Sequence, residues 1–168
     1  MNRQAIPVRK PAFDFDSEVP RYYLDNSPMK SHFFNGLNLL FPDGERFFVK
    51  SVVDHLAMIK DPQLLADVKA FCGQEGQHAN QHQRFFAVLE RQGYTIAPFL
   101  ERFRNVARLA NRWLPRGLRL SITAGAEHYT ATMAELVLGR DVLDDCHPVM
   151  RQLITWHAVE EVEHKHVA

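Results

Sequence analysis

Two stretches of this 168-residue chain carry the same pair of metal-seeking side chains at the same spacing: Glu75-Gly-Gln-His78 and Glu161-Val-Glu-His164. On an α-helix, residues three apart project from one face, so a carboxylate and an imidazole placed this way reach a common point. Each pair follows a lone glutamate, at an interval of 30 residues from Glu45 to Glu75 and of 34 from Glu127 to Glu161. The order Glu, then Glu-x-x-His, occurs twice, which describes a pseudo-repeat of two helical hairpins.

The stripes that hold these residues are otherwise apolar or small. Glu45 lies in the row Phe41, Glu45, Phe48, Val52, Leu56. Glu75 and His78 lie among Val68, Phe71, Cys72, Ala79, Phe86 and Leu89, Glu127 among Leu120, Thr123, Ala131 and Ala134, and Glu161 and His164 in a row that starts at Leu153 and ends at Ala168. An ionised carboxylate in an apolar interior costs several kcal/mol unless it is paired or ligates a metal. No Lys or Arg occupies these stripes, so divalent metal is the economical partner. One Glu from each of two helices and Glu-x-x-His from each of the other two is the ligand set of ferritin-like di-iron and di-manganese bundles. Oxygen and nitrogen donors without thiolate favour two Fe ions, with Mn or Zn as alternatives. In the last helix Glu163 and His166 fit the same spacing; symmetry with the first pair favours Glu161 and His164.

The expected scaffold is all-α, a ferritin-like four-helix bundle (residues 31–168) preceded by an extended N-terminal arm (residues 1–30). From Ser31 onward the periodicity is helical and strand alternation is absent. The segment "SHFFNGLNLL" is a short helix or the first part of a longer one, and Pro42 marks a helix start or a kink. Asp61 and Pro62 read as N-cap and first helical position, and Gly93 as the matching stop. Further helices run to near Pro115, from there to Gly139, and from near Pro148 onward.

Composition narrows the function classes. Lys+Arg and Asp+Glu are 20 each, so no basic excess points to nucleic acid. No run approaches the ~20 apolar residues of a membrane span, and no signal peptide is visible. Two cysteines, Cys72 and Cys146, form no disulfide framework, which suits a reducing cytoplasm. Six arginines and no acid lie between Arg102 and Ala126; the stripe Arg104, Arg108, Arg112 is either a solvated face or a surface for acidic lipid, acyl-carrier or protein partners.

The motifs "FPDGERFFVKSV", "AFCGQEGQHANQH" and "WHAVEEVEHKHVA" resemble the bacterial predicted metal-dependent hydrolases over roughly residues 35–168. The resemblance implies a ferritin-like fold with Glu45, Glu75, His78, Glu127, Glu161 and His164 as ligands. Members of that family continue beyond the last motif. This chain is therefore expected to be truncated at its C-terminus, or to have its open helical surface covered by a partner chain, a homodimer being one arrangement.

Around these six, His82 and His157 are read as extra ligands or, preferably, as groups that orient the ligands by hydrogen bonding. Tyr129, beside Glu127, is a candidate for redox chemistry or a surface group. The paired phenylalanines Phe33–Phe34, Phe47–Phe48 and Phe85–Phe86 either line an apolar pocket or pack the core. The functional expectation is a dimetal, preferentially di-iron, carboxylate enzyme acting as an O2-dependent oxidase or oxygenase on a small apolar substrate. Metal-dependent hydrolysis and non-catalytic metal binding are the rivals.

Overall fold

The computed structural model describes residues 5–167 and is all-helical. The helices are α1 (Pro28–Val53), α2 (Pro62–Arg91), α3 (Ala97–Trp113), α4 (Arg116–Gly139) and α5 (Pro148–His164), with a 3-10 turn, Leu56–Met58, after α1. Among the described residues no strand forms; an isolated antiparallel bridge joins Leu24 to Cys146. Residues 1–4 of the expected arm, and Ala168 at the end of the expected last stripe, lie outside the described residues.

Helix α1 begins at Pro28, three residues before the expected onset, and continues through Pro42. Of the two alternatives for the segment before that proline, the longer helix is the one that forms, with 26 residues. Proline removes one intrahelical hydrogen bond, but buried side chains on both sides, Phe34 and Asn38 before and Glu45 and Phe47 after, hold the helix across the gap. Ser27 caps its start. Asp61 caps α2 by accepting from Gln63 N at 2.9 Å, with Pro62 in the first turn. Gly93, at φ +84°, terminates α2: Gly93 N donates to Glu90 O (2.9 Å) and Tyr94 N to Leu89 O (3.1 Å), a closure that needs a left-handed residue at this position.

The helices α1, α2, α5 and α4 pack in a closed ring, each touching the next, while α3 leans on α1 from outside and buries no residue fully. Two apolar clusters cap the interior of the ring. One gathers Phe85 and Leu89 of α2 with Met150 and Leu153 of α5 and with Phe13, Phe15, Val19 and Tyr23 of the arm. The other holds Val52, Val68, Phe71 and Val167. The polar layer with the repeated motifs lies between them along α2 and α5. Each fully buried large apolar side chain contributes roughly 1.5–3 kcal/mol, so this layer is held from both ends.

The arm is zipped to α2 through its own carbonyls. Side chains of Gln74, Gln81, Arg84, Arg91 and Gln92 donate to the carbonyls of Pro7, Pro11, Phe13, Phe15 and Val19. Gly73 permits the contact: a Cβ there would sit 2.8 Å from Val8 Cγ2. The phenylalanine pairs divide, Phe34, Phe47 and Phe85 being buried and Phe33 exposed. Cys72 and Cys146 are free thiols.

Candidate metal centre

Each element supplies its polar groups at a fixed depth. Helices α1 and α4 each present one carboxylate, Glu45 and Glu127, while α2 presents Glu75 and His78 and α5 presents Glu161 and His164. All six are buried, with 4% or less of their surface exposed. They form overlapping groups whose donor atoms lie within 4.8 Å of one another: Glu75, Glu127 and His164; Glu75, His78 and Glu161; and Glu45, His78 and His157.

The middle of the layer belongs to Glu75 and Glu161. Glu75 Oε1 is 3.5 Å from His78 Nδ1 and 3.4 Å from His164 Nε2. Glu161 reaches the same two nitrogens, each at 3.7 Å, with its two oxygens. Glu127 Oε2 faces His164 Nε2 at 3.2 Å on one side, and Glu45 Oε1 faces His157 Nε2 at 4.0 Å on the other. Glu75 and Glu161 thus each lie beside both inward histidine nitrogens, Glu127 beside His164 and Glu45 beside His157.

Many of these inward atoms lack a hydrogen-bond partner: both oxygens of Glu45, Glu75 Oε1, Glu127 Oε2, His78 Nδ1 and His164 Nε2. Buried polar atoms are rarely left unpaired, and here they converge on one space. Among the described residues, no Lys or Arg pairs with any of the four inward carboxylates. Burial and mutual repulsion push Glu75 up to about 8 and Glu127 to about 7, and hold Glu45 well above the usual carboxylate range. Burial opposes charge on Glu161 and His164 as well, yet His157 and His164 hold Glu161 well below its usual range, and Glu127 and Glu161 hold His164 well above its own.

Behind the inward donors stands a second set of residues that periodicity does not single out. His78 Nε2 donates to the buried Glu160 Oε2 at 3.0 Å, leaving the Nδ1 lone pair inward. Arg9 of the arm donates to Glu160 at 3.1 Å and to both oxygens of Glu163 at 2.8 and 2.7 Å. Gln74 Nε2 donates to Glu163 Oε2, so Gln74 Oε1 accepts from His164 Nδ1 at 2.9 Å and leaves the Nε2 lone pair inward. Glu163 thus belongs to the outer network, and His166 approaches Asp67 instead; Glu161 and His164 face the interior. The only sequence signal for this network was the crowding of Glu160, Glu161 and Glu163 within about one turn. Thr130, also unforeseen, donates to Glu161 Oε2 at 2.5 Å.

His82 and His157 form a chain. Asn38 Nδ2 donates to Phe34 O, so its Oδ1 must accept from His82 Nδ1, at 2.6 Å. With neutral rings, His82 Nε2 then accepts from His157 Nδ1 at 2.5 Å. That leaves His157 Nε2 without a proton, facing Glu161 Oε1 at 2.8 Å. Two lone pairs at this distance need a proton or a metal ion between them. Burial pushes both rings below their usual range, which disfavours the proton. Tyr129 makes no such contact. It lies two residues, or 200° of helix, from Glu127, is 58% exposed and lines the cavity that opens beside the layer.

A cavity of about 690 Å³ opens beside this layer. Phe33, Phe34, Leu37, Met133, Val137 and Ile154 give it apolar walls, and Phe41, His82, His157 and Glu161 line its inner part.

Together these features define an all-α bundle with interior His/Glu clusters whose donor set fits divalent metal. The family model described as predicted metal-dependent hydrolase matches residues 7–168, and the chain belongs to that family. Searches of curated proteins and of solved structures returned no match.

Proposed function

We propose that this protein is a dimetal carboxylate enzyme, preferentially di-iron, that oxidises an apolar substrate with O2. The observation that carries the reading is the apolar cavity whose inner part is lined by Glu161 and His157, which gives a hydrocarbon-like substrate direct access to the polar layer. Glu127 and His164 would hold one metal, Glu45 and His78 the other, with Glu75 and Glu161 shared and His157 Nε2 as an additional nitrogen donor beside Glu45. When bound, two ferrous ions would supply two of the four electrons that reduce O2, and the substrate the other two. No thiolate is among the donors, which suits iron or manganese.

The chain's own residues do the rest. Phe33, Leu37, Met133 and Val137 bind the substrate by burying its apolar surface and exclude water from the layer. Phe41 packs on His82 and His157, at 4.8 and 4.3 Å between ring centres, and fixes their planes. Glu160 and Gln74 hold the two inward histidines in the tautomer that can ligate. Helical-bundle sites of this kind occur in ferritin-like proteins, and the ring of α1, α2, α4 and α5 is compatible with that architecture.

Hydrolysis is the second reading, favoured by the family description. Two metals about 3.5–4 Å apart can activate water and clamp an ester or phosphate oxygen. Anaerobic iron loading followed by air separates the two. Oxidase chemistry predicts O2 uptake and new ferric absorption near one O2 per two irons. An iron form inert to air, together with a zinc or manganese form that cleaves esters or phosphates, would establish hydrolysis instead.

A further inference from the structure

One face of α3 is left bare by the fold. Phe99, Arg102, Val106, Leu109 and Trp113 recur at alternating steps of three and four and so share one side of the helix. Their four apolar members are exposed, Phe99 at 44%, Val106 at 61%, Leu109 at 57% and Trp113 at 71%. The adjoining stripe carries Arg108 and Arg112, both exposed, and the guanidinium of Arg112 lies 5.3 Å from the centre of the Trp113 ring. Leu118 and Ile122 of α4 are exposed as well, at 47% and 42%.

The charge on this segment is one-sided. Between Arg102 and Ala126 there are six arginines and no acid, although the whole chain is neutral. Two of the six are neutralised within the fold, Arg104 by Asp43 at 3.3 Å and Arg119 by Asp54 at 2.7 Å. Arg102, Arg108, Arg112 and Arg116 have no acidic partner among the described residues.

We propose that this face docks on an anionic lipid surface, with α3 lying in the headgroup plane, its apolar stripe inserted and its arginines on lipid phosphates. A strongly amphipathic helix with arginine on the polar side and Trp, Phe and Leu on the other is the composition of an interfacial helix. Charge complementarity selects lipid over a second copy of the chain. A two-fold contact through α3 would set the unpaired arginines of both copies against each other, with Glu101 the sole acid on the helix. Docking of this kind is attachment to the surface: no helix of the described residues is long and apolar enough to cross a membrane.

The test is sedimentation of the full chain with two vesicle types, phosphatidylcholine alone and phosphatidylcholine with about one third phosphatidylglycerol. Binding should be confined to the anionic vesicles and should weaken as salt shortens the screening length. Each of Arg102→Gln, Arg108→Gln and Arg112→Gln should lower the partition about fivefold, and R102E/R108E/R112E together should abolish it. The tryptophan emission should shift to the blue on binding, and Trp113→Phe, which leaves Trp156, should remove the shift. These side chains are exposed, so the variants should keep the wild-type circular dichroism and melting temperature. Equal binding to both vesicle types, no binding to either, or full binding by the triple variant overturns the proposal. So does a dimer that the same variants dissociate while vesicle binding stays unchanged.

Discussion

Arg9 and Glu163 form a two-pronged ion pair, Nη1 to Oε2 at 2.8 Å and Nη2 to Oε1 at 2.7 Å, that ties the N-terminal arm to the last helix. Arg9 also neutralises Glu160, the acceptor for His78 Nε2. Arg9→Met should therefore weaken metal binding by about 10-fold, the lower end of the range for removing a partner behind a ligand. Competition against a chelator measures it, and an unchanged affinity would exclude the arm from the site.

Glu75 and Glu127 should behave differently when their charge is removed. Glu75 Oε1 neighbours both inward histidines, whereas Glu127 neighbours His164 and not His78. Glu75→Gln should bring the bound metal close to zero. Glu127→Gln should leave about one equivalent per chain. Elemental analysis after desalting decides; equal losses in the two variants would contradict the shared position of Glu75.

His157→Phe removes the nitrogen that faces Glu161 at 2.8 Å while keeping a ring against Phe41. Affinity for one of two metals should fall by at least about 10-fold, with the other unaffected. Nitrogen couplings in the pulsed magnetic resonance spectrum of a copper- or iron-loaded sample should drop by one histidine. The same count of histidines in variant and wild type would return His157 to a purely orienting role.

The metal-free protein should lose stability as pH rises. Burial and neighbouring carboxylates hold Glu75 at about 8 and Glu127 at about 7 against an ordinary value of 4.5. Across this window the folded state keeps protons that the unfolded chain has released. The contribution of these two groups is therefore full below pH 4.5 and is lost as pH rises through 7 to 8. Glu161, held below its usual range, acts in the opposite sense and only at lower pH. The melting temperature of chelated protein should fall by on the order of 5 °C from weakly acidic to weakly basic pH. Metal should reverse the fall and release protons as it binds. A chelated protein that grows more stable over the same window would show that these carboxyls are solvated.

The all-helical class and the depth of the polar layer were legible in the sequence, because a glutamate in an apolar row is too costly to bury without a reason and helical spacing shows which residues share a row. Capping residues marked helix ends for the same local reason: Asp61, Pro62 and Gly93 act through backbone atoms within a few positions of themselves. Pro42 left a short helix and a longer one both open, because the packing that carries α1 across it comes from other helices. Periodicity along α5 left two registers open, since Glu161 and Glu163 each stand three residues before a histidine. Tertiary packing turned one pair inward and gave the other glutamate to Arg9 and Gln74. Which ring nitrogen faces inward, Nδ1 in His78 but Nε2 in His164, was likewise decided by the partners behind each ring, Glu160 and Gln74. The arm contributes Arg9 from 151 residues away along the chain, and no periodic pattern reports a contact of that span. Local spacing determined which side chains could converge; the long-range hydrogen bonds of the folded bundle decided which atoms do.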